Sequence, residues 1–329
     1  MVAKSEAENI KIEVKPKLTF SILFNAFKEH LNLLYRMFKK TLFVDLFSRW
    51  KFIFAIIFMI ILPILSILFL DVTFLEDQSS LNEYFGMMHV LISYMIVLPF
   101  LLIYSSASLI SEEIKSHTML LLVSKPISRG KIVWGKYIAM LFYNLIISLV
   151  SLGIVCLTAF LKHPFYDIIP FFGTQFLFSL LIIVFFGTLT MGFSMVFRNV
   201  KTAALIPLML LLIMIFLFFI VRPFLMSPSP NGDLYYEAFQ VYNYDLGYHF
   251  MNIYVWFYEN FISYLPEGTI RWLVSWGIYT LEYIEPFPEN EIYTKTNYQP
   301  PHISLLIILI FAAIVIIVGF IIYKRRDIS

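Results

Sequence analysis

All 24 Lys and Arg and all 22 Asp and Glu of this 329-residue chain lie outside six long apolar runs. The runs cover residues 52–70, 87–109, 137–161, 168–197, 202–221 and 305–323. An uncharged stretch of about 20 residues, rising about 1.5 Å per residue, matches the hydrocarbon core of a bilayer. Lipid offers no partner to backbone polar groups, so each run is predicted to be helical. The chain therefore reads as an all-α membrane protein with six transmembrane helices. Hydrophobic residues make up 60% of it and the mean hydropathy is +0.81, more than a soluble core of this length needs.

Charge between the runs sets an expected orientation. Residues 1–51 hold ten basic and five acidic side chains, a net +5. Residues 71–86 are −4, 110–136 are +3, 162–167 are neutral and 198–201 are +2. The long segment 222–304 is −6 and the tail from Lys324 is +2. Basic and non-basic connections alternate, so the positive-inside tendency predicts that both termini are cytoplasmic in a multi-pass protein of the cell membrane.

Three units follow. Residues 1–51 form a cytoplasmic segment, 52–329 a six-span domain, and 222–304 an extracytoplasmic cap inserted between helices five and six. In the first unit Phe20, Leu23, Phe24, Phe27, Leu31, Leu34, Tyr35 and Phe38 recur at helical spacing opposite Lys28, Arg36 and Lys39. That is an amphipathic helix suited to the cytoplasmic leaflet, or to packing on a soluble partner. The cap holds 12 tyrosines and Trp256, Trp272 and Trp276, with helices predicted over 248–264 and 269–284. Aromatics mixed with acids suit a membrane–water interface.

Catalytic constellations do not emerge. Gly130 to Lys136 matches the spacing of a phosphate loop, but Tyr137 follows where a magnesium-binding Ser or Thr belongs, and no strand precedes it. The six histidines are scattered without metal-ligand spacing, and Cys156 is the one cysteine. No acidic pair lies within a span, which disfavours a proton- or sodium-coupled carrier. Nothing marks nucleic acid as a partner.

The connection between the second and third runs carries the specific signal. It reads SEEIKSHTMLLLVSKPISRGKIVWGKYIAM, residues 111–140. Glu113, Thr118, Leu121, Leu122, Ser124, Pro126, Ile127, Ser128, Arg129, Ile132, Gly135 and Lys136 match a pattern of the form E-x-x-x-G-T-L-x-x-L-L-S-x-P-I-S-R-x-x-I-x-x-G-K. This stretch resembles the signature region of type-2 ABC transporter permeases, with His117 standing where the pattern has glycine. The six-span plan, the N-terminal amphipathic helix and the large loop before the last span resemble that family too.

The resemblance implies a permease subunit that binds no cofactor and is not an enzyme. A separate ATP-binding-cassette subunit would hold ATP and magnesium, and a second permease would complete a homodimer or heterodimer in the lipid bilayer. It implies coupling to the ATPase through Glu112, Glu113, Lys115, Thr118, Pro126 and Arg129, with export as the default direction. The alternative from another class is a non-transporting scaffold or regulatory subunit. Pro63, Pro99 and Pro207 interrupt spans one, two and five. With Ser105, Ser108, Thr188 and Gly192 they are candidates for hinges or a substrate pathway; plain helix packing explains them equally. Trp272 and Trp276 are candidates for an external gate.

Overall fold

The computed structural model describes residues 20–47, 49–61, 63–65, 89–116, 128–162, 168–227, 234–262, 265, 267–283 and 291–326. α1 (Phe20–Lys40) passes through a π-helical turn, Thr41–Leu46, before α2 (Arg49–Ile56) and a second π-helical turn, Ile57–Ile61. The stretches Leu31–Leu46 and Trp50–Leu65 meet at 74°. A nine-residue π-helix, His89–Val97, leads into α3 (Leu98–Ser106) and α4 (Ser108–Lys115). α5 (Arg129–Lys162) and α6 (Ile168–Val196) follow. Next, α7 (Val200–Leu212) continues through a π-helical turn, Ile213–Leu217, into α8 (Phe218–Leu225). The remaining elements are α9 (Tyr235–Ala238), α10 (Leu246–Phe261), α11 (Glu267–Val274), strands β1 (Tyr279–Tyr283) and β2 (Glu291–Lys295), and α12 (Pro301–Arg325).

Among the described residues four helices are long and apolar enough to cross a membrane: His89–Lys115, Arg129–Thr158, Ile169–Val196 and Pro301–Arg325. They correspond to the second, third, fourth and sixth apolar runs. The bent pair Leu31–Leu46 and Trp50–Leu65 makes a fifth if it is one span, and Val200–Ile215 is a shorter apolar helix at the fifth run. α6 is the central helix, packed against α3, α5, α7, α10 and α12.

Prolines act differently from the kinks expected of them. The π-helical turns Ile57–Ile61 and His89–Val97 each end two residues before a proline, Pro63 and Pro99, whereas Pro223 lies inside α8. Proline lacks an N–H and its ring crowds the carbonyl four residues back. A wider turn relieves that crowding and passes the hydrogen bond to another residue. Pro99 thus sits in the first turn of α3, where no donor is missed. Pro207 lies buried inside α7.

Glycines set the closest helix approaches. A Cβ on Gly319 of α12 would stand 2.5 Å from the Gly192 carbonyl oxygen of α6, and one on Gly192 would stand 2.9 Å from the Val315 carbonyl oxygen. Both obstacles are backbone, which cannot rotate away. Gly319→Val is therefore expected to cost about 1–3 kcal/mol of stability or more, read as a lowered melting temperature of the full chain. Gly153→Ala, with nothing within 4 Å of the added carbon, is the control and should not destabilise the helix. Equal melting of the two variants would contradict the close approach. In the same way Gly135 of α5 admits Met37 of α1, while Leu31 and Tyr35 of α1 face outward.

The 222–304 segment departs from the expected cap of interfacial helices. α10 starts near its predicted position but is buried along most of its length, wedged against α6 and α12. The helix predicted over 269–284 stops at Val274. Gly277 takes φ +74° and turns the chain into an antiparallel hairpin that pairs Tyr279 with Lys295 and Tyr283 with Glu291. The fold is thus helical with one two-stranded hairpin among the described residues rather than all-α.

Candidate functional site

The motif-bearing connection joins α4 to α5, and residues 117–127 lie outside the described residues. Thr118 and Pro126 fall there. The flanking stems are described, and their charges are bound into the bundle. Lys136 of α5 is almost fully buried; its ammonium donates to the Leu109 carbonyl and pairs with Glu113 of α4 at 2.7 Å. Residues 130–136, which mimic a phosphate-loop spacing, are helical.

Arg129 opens α5 and reaches the far end of the chain. Its guanidinium donates to the carbonyls of Tyr323 (3.4 Å), Lys324 (3.1 Å) and Arg326 (2.9 Å) at the C-terminal end of α12. Carbonyls at a helix C-terminus generally run out of intrahelical donors, and a cation there also suits the helix dipole. Arg326 in turn donates to the Val196 carbonyl ending α6 at 2.6 Å. Lys51 of α2 donates to Ser108 of α4 at 3.0 Å. A cavity of about 360 Å³ opens here, lined by Asp45, Lys51, Glu112, Glu113, Ser116 and Lys136 among others. Glu112 is exposed at its mouth and Lys115 is exposed on the same helix, whereas Glu113 is half-buried. The coupling candidates therefore divide: Glu113 and Arg129 hold helices together, while Glu112 and Lys115 face outward.

Most small polar candidates make contacts within the bundle. Ser194 of α6 accepts from the N–H groups of Ile110 and Ser111 at 3.1 Å each and donates to the Ala107 carbonyl at 3.0 Å. One hydroxyl so stitches the joint between α3 and α4. Ser105 bonds back to the Leu102 carbonyl of its own helix at 3.2 Å, and Thr188 meets the Tyr137 hydroxyl at 2.7 Å. Gly192 is the contact with α12. Pro63 is buried.

At the opposite end a buried ion pair ties the 222–304 segment together. The Arg222 guanidinium of α8 meets Asp245 at 2.5 and 2.8 Å and donates to the Ser275 carbonyl at 3.1 Å. It also lies 4.7 Å over the Trp276 ring. Asp245 is the N-cap of α10, accepting from the Tyr248 N–H at 3.1 Å, and takes a further bond from the Tyr236 hydroxyl at 3.0 Å. Burial, with Asp245 beside it, pushes the Tyr236 hydroxyl far above its ordinary pKa, so it stays a donor. A Cβ on Gly247 would meet Arg222 at 2.6 Å and Trp276 at 2.8 Å, so only glycine fits there. Trp276 is fully buried; Trp272 is half-buried and packs edge-on against it at 5.9 Å. Arg222 and Asp245 were not singled out from the sequence. An acidic residue just before an apolar helix is a readable N-cap signal, but its arginine partner is not.

His249 joins this segment to α12. Its ring contacts the Ser304 hydroxyl at 3.0 Å and the Asn243 carbonyl at 3.3 Å. Burial lowers its pKa, opposed by the Asn243 carbonyl and Asp245. The unfolded chain then takes a proton more readily than the fold, so this contribution is whole above about pH 6.5 and fades as pH falls towards the folded value. Amide exchange in α10, corrected for its intrinsic rate, is expected to accelerate below about pH 6.5, and His249→Gln should remove that step. An identical profile in the variant would refute it.

No curated protein matches the chain. The family model described as ABC-2 family transporter protein matches residues 36–328. That match takes in the stem network, the central helix, the buried ion pair and α12, and the chain belongs to the ABC-2 transporter family as a multi-pass membrane permease.

Proposed function

We propose that this chain is the transmembrane subunit of an ATP-binding-cassette transporter, that it couples ATP hydrolysis in a separate subunit to substrate movement, and that it works as an exporter paired with a second permease. The observation that carries the reading is the family match over residues 36–328 together with the wiring at the connection it includes. Force applied by an ATPase to residues 116–128 would meet α4 and α5 at once. It would then pass through Lys136–Glu113, through Arg129 to the end of α12, and through Arg326 to α6. Exposed Glu112 and Lys115, with Thr118 and Pro126, are the proposed contact with the ATPase, which would bind the ATP and magnesium.

In this reading the chain crosses the cell membrane six times, with both termini in the cytoplasm. α1 lies in the plane of the cytoplasmic leaflet, where outward Leu31 and Tyr35 meet lipid and the 74° bend turns the chain into the first span. The segment 222–304 is the external cap, and its ion pair between α8 and α10 would have to move whenever the fifth span moves. Purification of the full chain from its native membranes in mild detergent tests the assignment. An ATP-binding-cassette subunit should co-purify in stoichiometric amount; its absence under conditions that keep the permease folded would count against the reading.

A further inference from the structure

The interior of the bundle holds polar groups that the packing does not satisfy. Around the middle of the spans and towards the cap, three neighbouring elements each contribute a pair. His89 and Tyr94 come from the π-helical start of the second span, Asn144 and Ser148 from α5, and Gln175 with Ser179 from α6. Spacings of four or five residues put each pair on one face of its helix. The Tyr94 phenol lies close enough to the Ser148 and Ser179 hydroxyls to interact with them but in no well-formed hydrogen bond, and the His89 ring stands edge-on to Tyr94 at 4.6 Å. All six residues are buried.

Their hydrogen-bonding capacity is largely unused. Both His89 nitrogens, the Tyr94 hydroxyl, Asn144 Oδ1, the Ser148 hydroxyl and Gln175 Oε1 find no partner among the described residues. Gln175 Nε2 donates to Tyr254 of α10 at 3.3 Å, so the cap helix closes over this region. Isolated unpaired polar atoms in a membrane interior are costly, and native proteins keep them paired with protein, water or ligand. Six on one seam, without a partner among the described residues, point to an occupant. Elsewhere in the same bundle Ser105 of α3, Ser111 of α4 and Ser194 of α6 bond to their own helix or to a neighbour, and within the seam Ser179 bonds back to the Phe176 carbonyl, so the fold has the means to satisfy such groups and leaves the six atoms above without it. The π-helical geometry of His89–Val97 adds a distortion of the kind found at binding sites.

We infer that this seam is an internal binding site for an uncharged, hydrogen-bonding group such as a hydroxyl, amide or ether, which water fills when the group is absent. No Asp, Glu, Lys or Arg occurs in residues 87–109, 137–161 or 168–197, so a bare ion brought here would have no counter-charge. The side chains offer donors and acceptors together, as a neutral polar solute requires. Placing the site on a transport route rests on the permease reading; the existence of a wet, charge-free seam does not, and the test addresses the seam alone.

Full-length Ser148→Cys and Asn144→Cys variants, in a Cys156→Ser background in nanodiscs, are exposed to neutral 2-hydroxyethyl methanethiosulfonate or its cationic trimethylammonium counterpart. A thiol must ionise to react, which needs water or polar partners, so both variants should react with the neutral reagent about tenfold or more faster than the equally buried Phe178→Cys. Normalised to exposed Glu112→Cys, the cationic reagent should be slower at the seam by a similar factor, about tenfold. Rates no faster than at Phe178→Cys would overturn the site, and cationic labelling as fast as neutral would overturn its neutral character. Should a cysteine variant misfold, hydroxyl-radical labelling of the unmodified chain decides: Tyr94 should be oxidised well above buried Phe185 and Phe186, and labelling equal to theirs would refute the seam.

Discussion

Asp245→Ala is expected to cost about 3–5 kcal/mol of stability, because it strands a buried arginine. Arg222 and Asp245 are both almost wholly inaccessible, at 1% and 0% side-chain exposure. The loss would also strip the N-cap from α10, a further contribution of about 1 kcal/mol. The cap should then lose order first: amide exchange in α9 to α11 should rise steeply and the melting temperature of the full chain should fall. The double replacement Arg222→Met with Asp245→Leu removes both charges, so it should recover a large part of the loss. A single variant as stable as the double one would show that the pair is not holding the cap.

Glu113→Ala is the second large expected effect. Lys136 is buried beneath Glu113 and keeps only the Leu109 carbonyl when the carboxylate goes. Breaking a fully buried pair costs about 3–5 kcal/mol. Glu113 retains 15% side-chain exposure, so some solvent reaches the pair and the loss should lie at the lower end, about 3 kcal/mol. Charge-conserving Glu113→Asp should be milder, since the ammonium keeps a counter-ion. Exchange at the α4–α5 stems, measured beside the melting temperature, separates this from a surface effect: unchanged stems in the alanine variant would exclude Glu113 as their tie.

The membrane helices were legible because charge exclusion is a local property of sequence. A run without Lys, Arg, Asp or Glu has few alternatives to a buried or lipid-facing helix, and runs two, three, four and six became the long helices of the bundle. The family-bearing segment was legible for a similar reason: its residues are consecutive, so no fold is needed to see them. Spacing alone did not separate the roles of Glu112 and Glu113. Adjacent positions on a helix face different ways, and only the position of Lys136 shows which carboxylate turns inward.

Other features rest on long-range pairing. Residues 279–283 alternate tyrosine, threonine, leucine, glutamate and tyrosine, a strand pattern that was overlooked inside a helix expectation. The partner strand lies past residues 284–290, and the positive φ of Gly277 is invisible in composition. Serines and small residues in an apolar run are equally compatible with a pathway and with plain packing, and sequence does not separate the two. Ser105, Ser194 and Thr188 are satisfied by their own bundle, while atoms of His89, Tyr94, Asn144, Ser148 and Gln175 are among those without a partner among the described residues. Satisfaction depends on neighbours from other helices, which sequence does not supply.

Coupling to an ATPase is the central claim, and exposed Glu112 gives its most direct test because its replacement leaves the stem network intact. The chain is purified with its co-purifying ATP-binding-cassette subunit, reconstituted in nanodiscs, and ATP hydrolysis is compared between the unmodified chain and Glu112→Lys at matched folding stability. The account predicts that the unmodified complex hydrolyses ATP faster than the isolated ATPase, and that Glu112→Lys brings the rate back towards that of the ATPase alone or weakens assembly. Full stimulation with normal assembly in Glu112→Lys would contradict coupling at this surface, and a permease that neither binds nor stimulates any such subunit would contradict the transporter assignment itself.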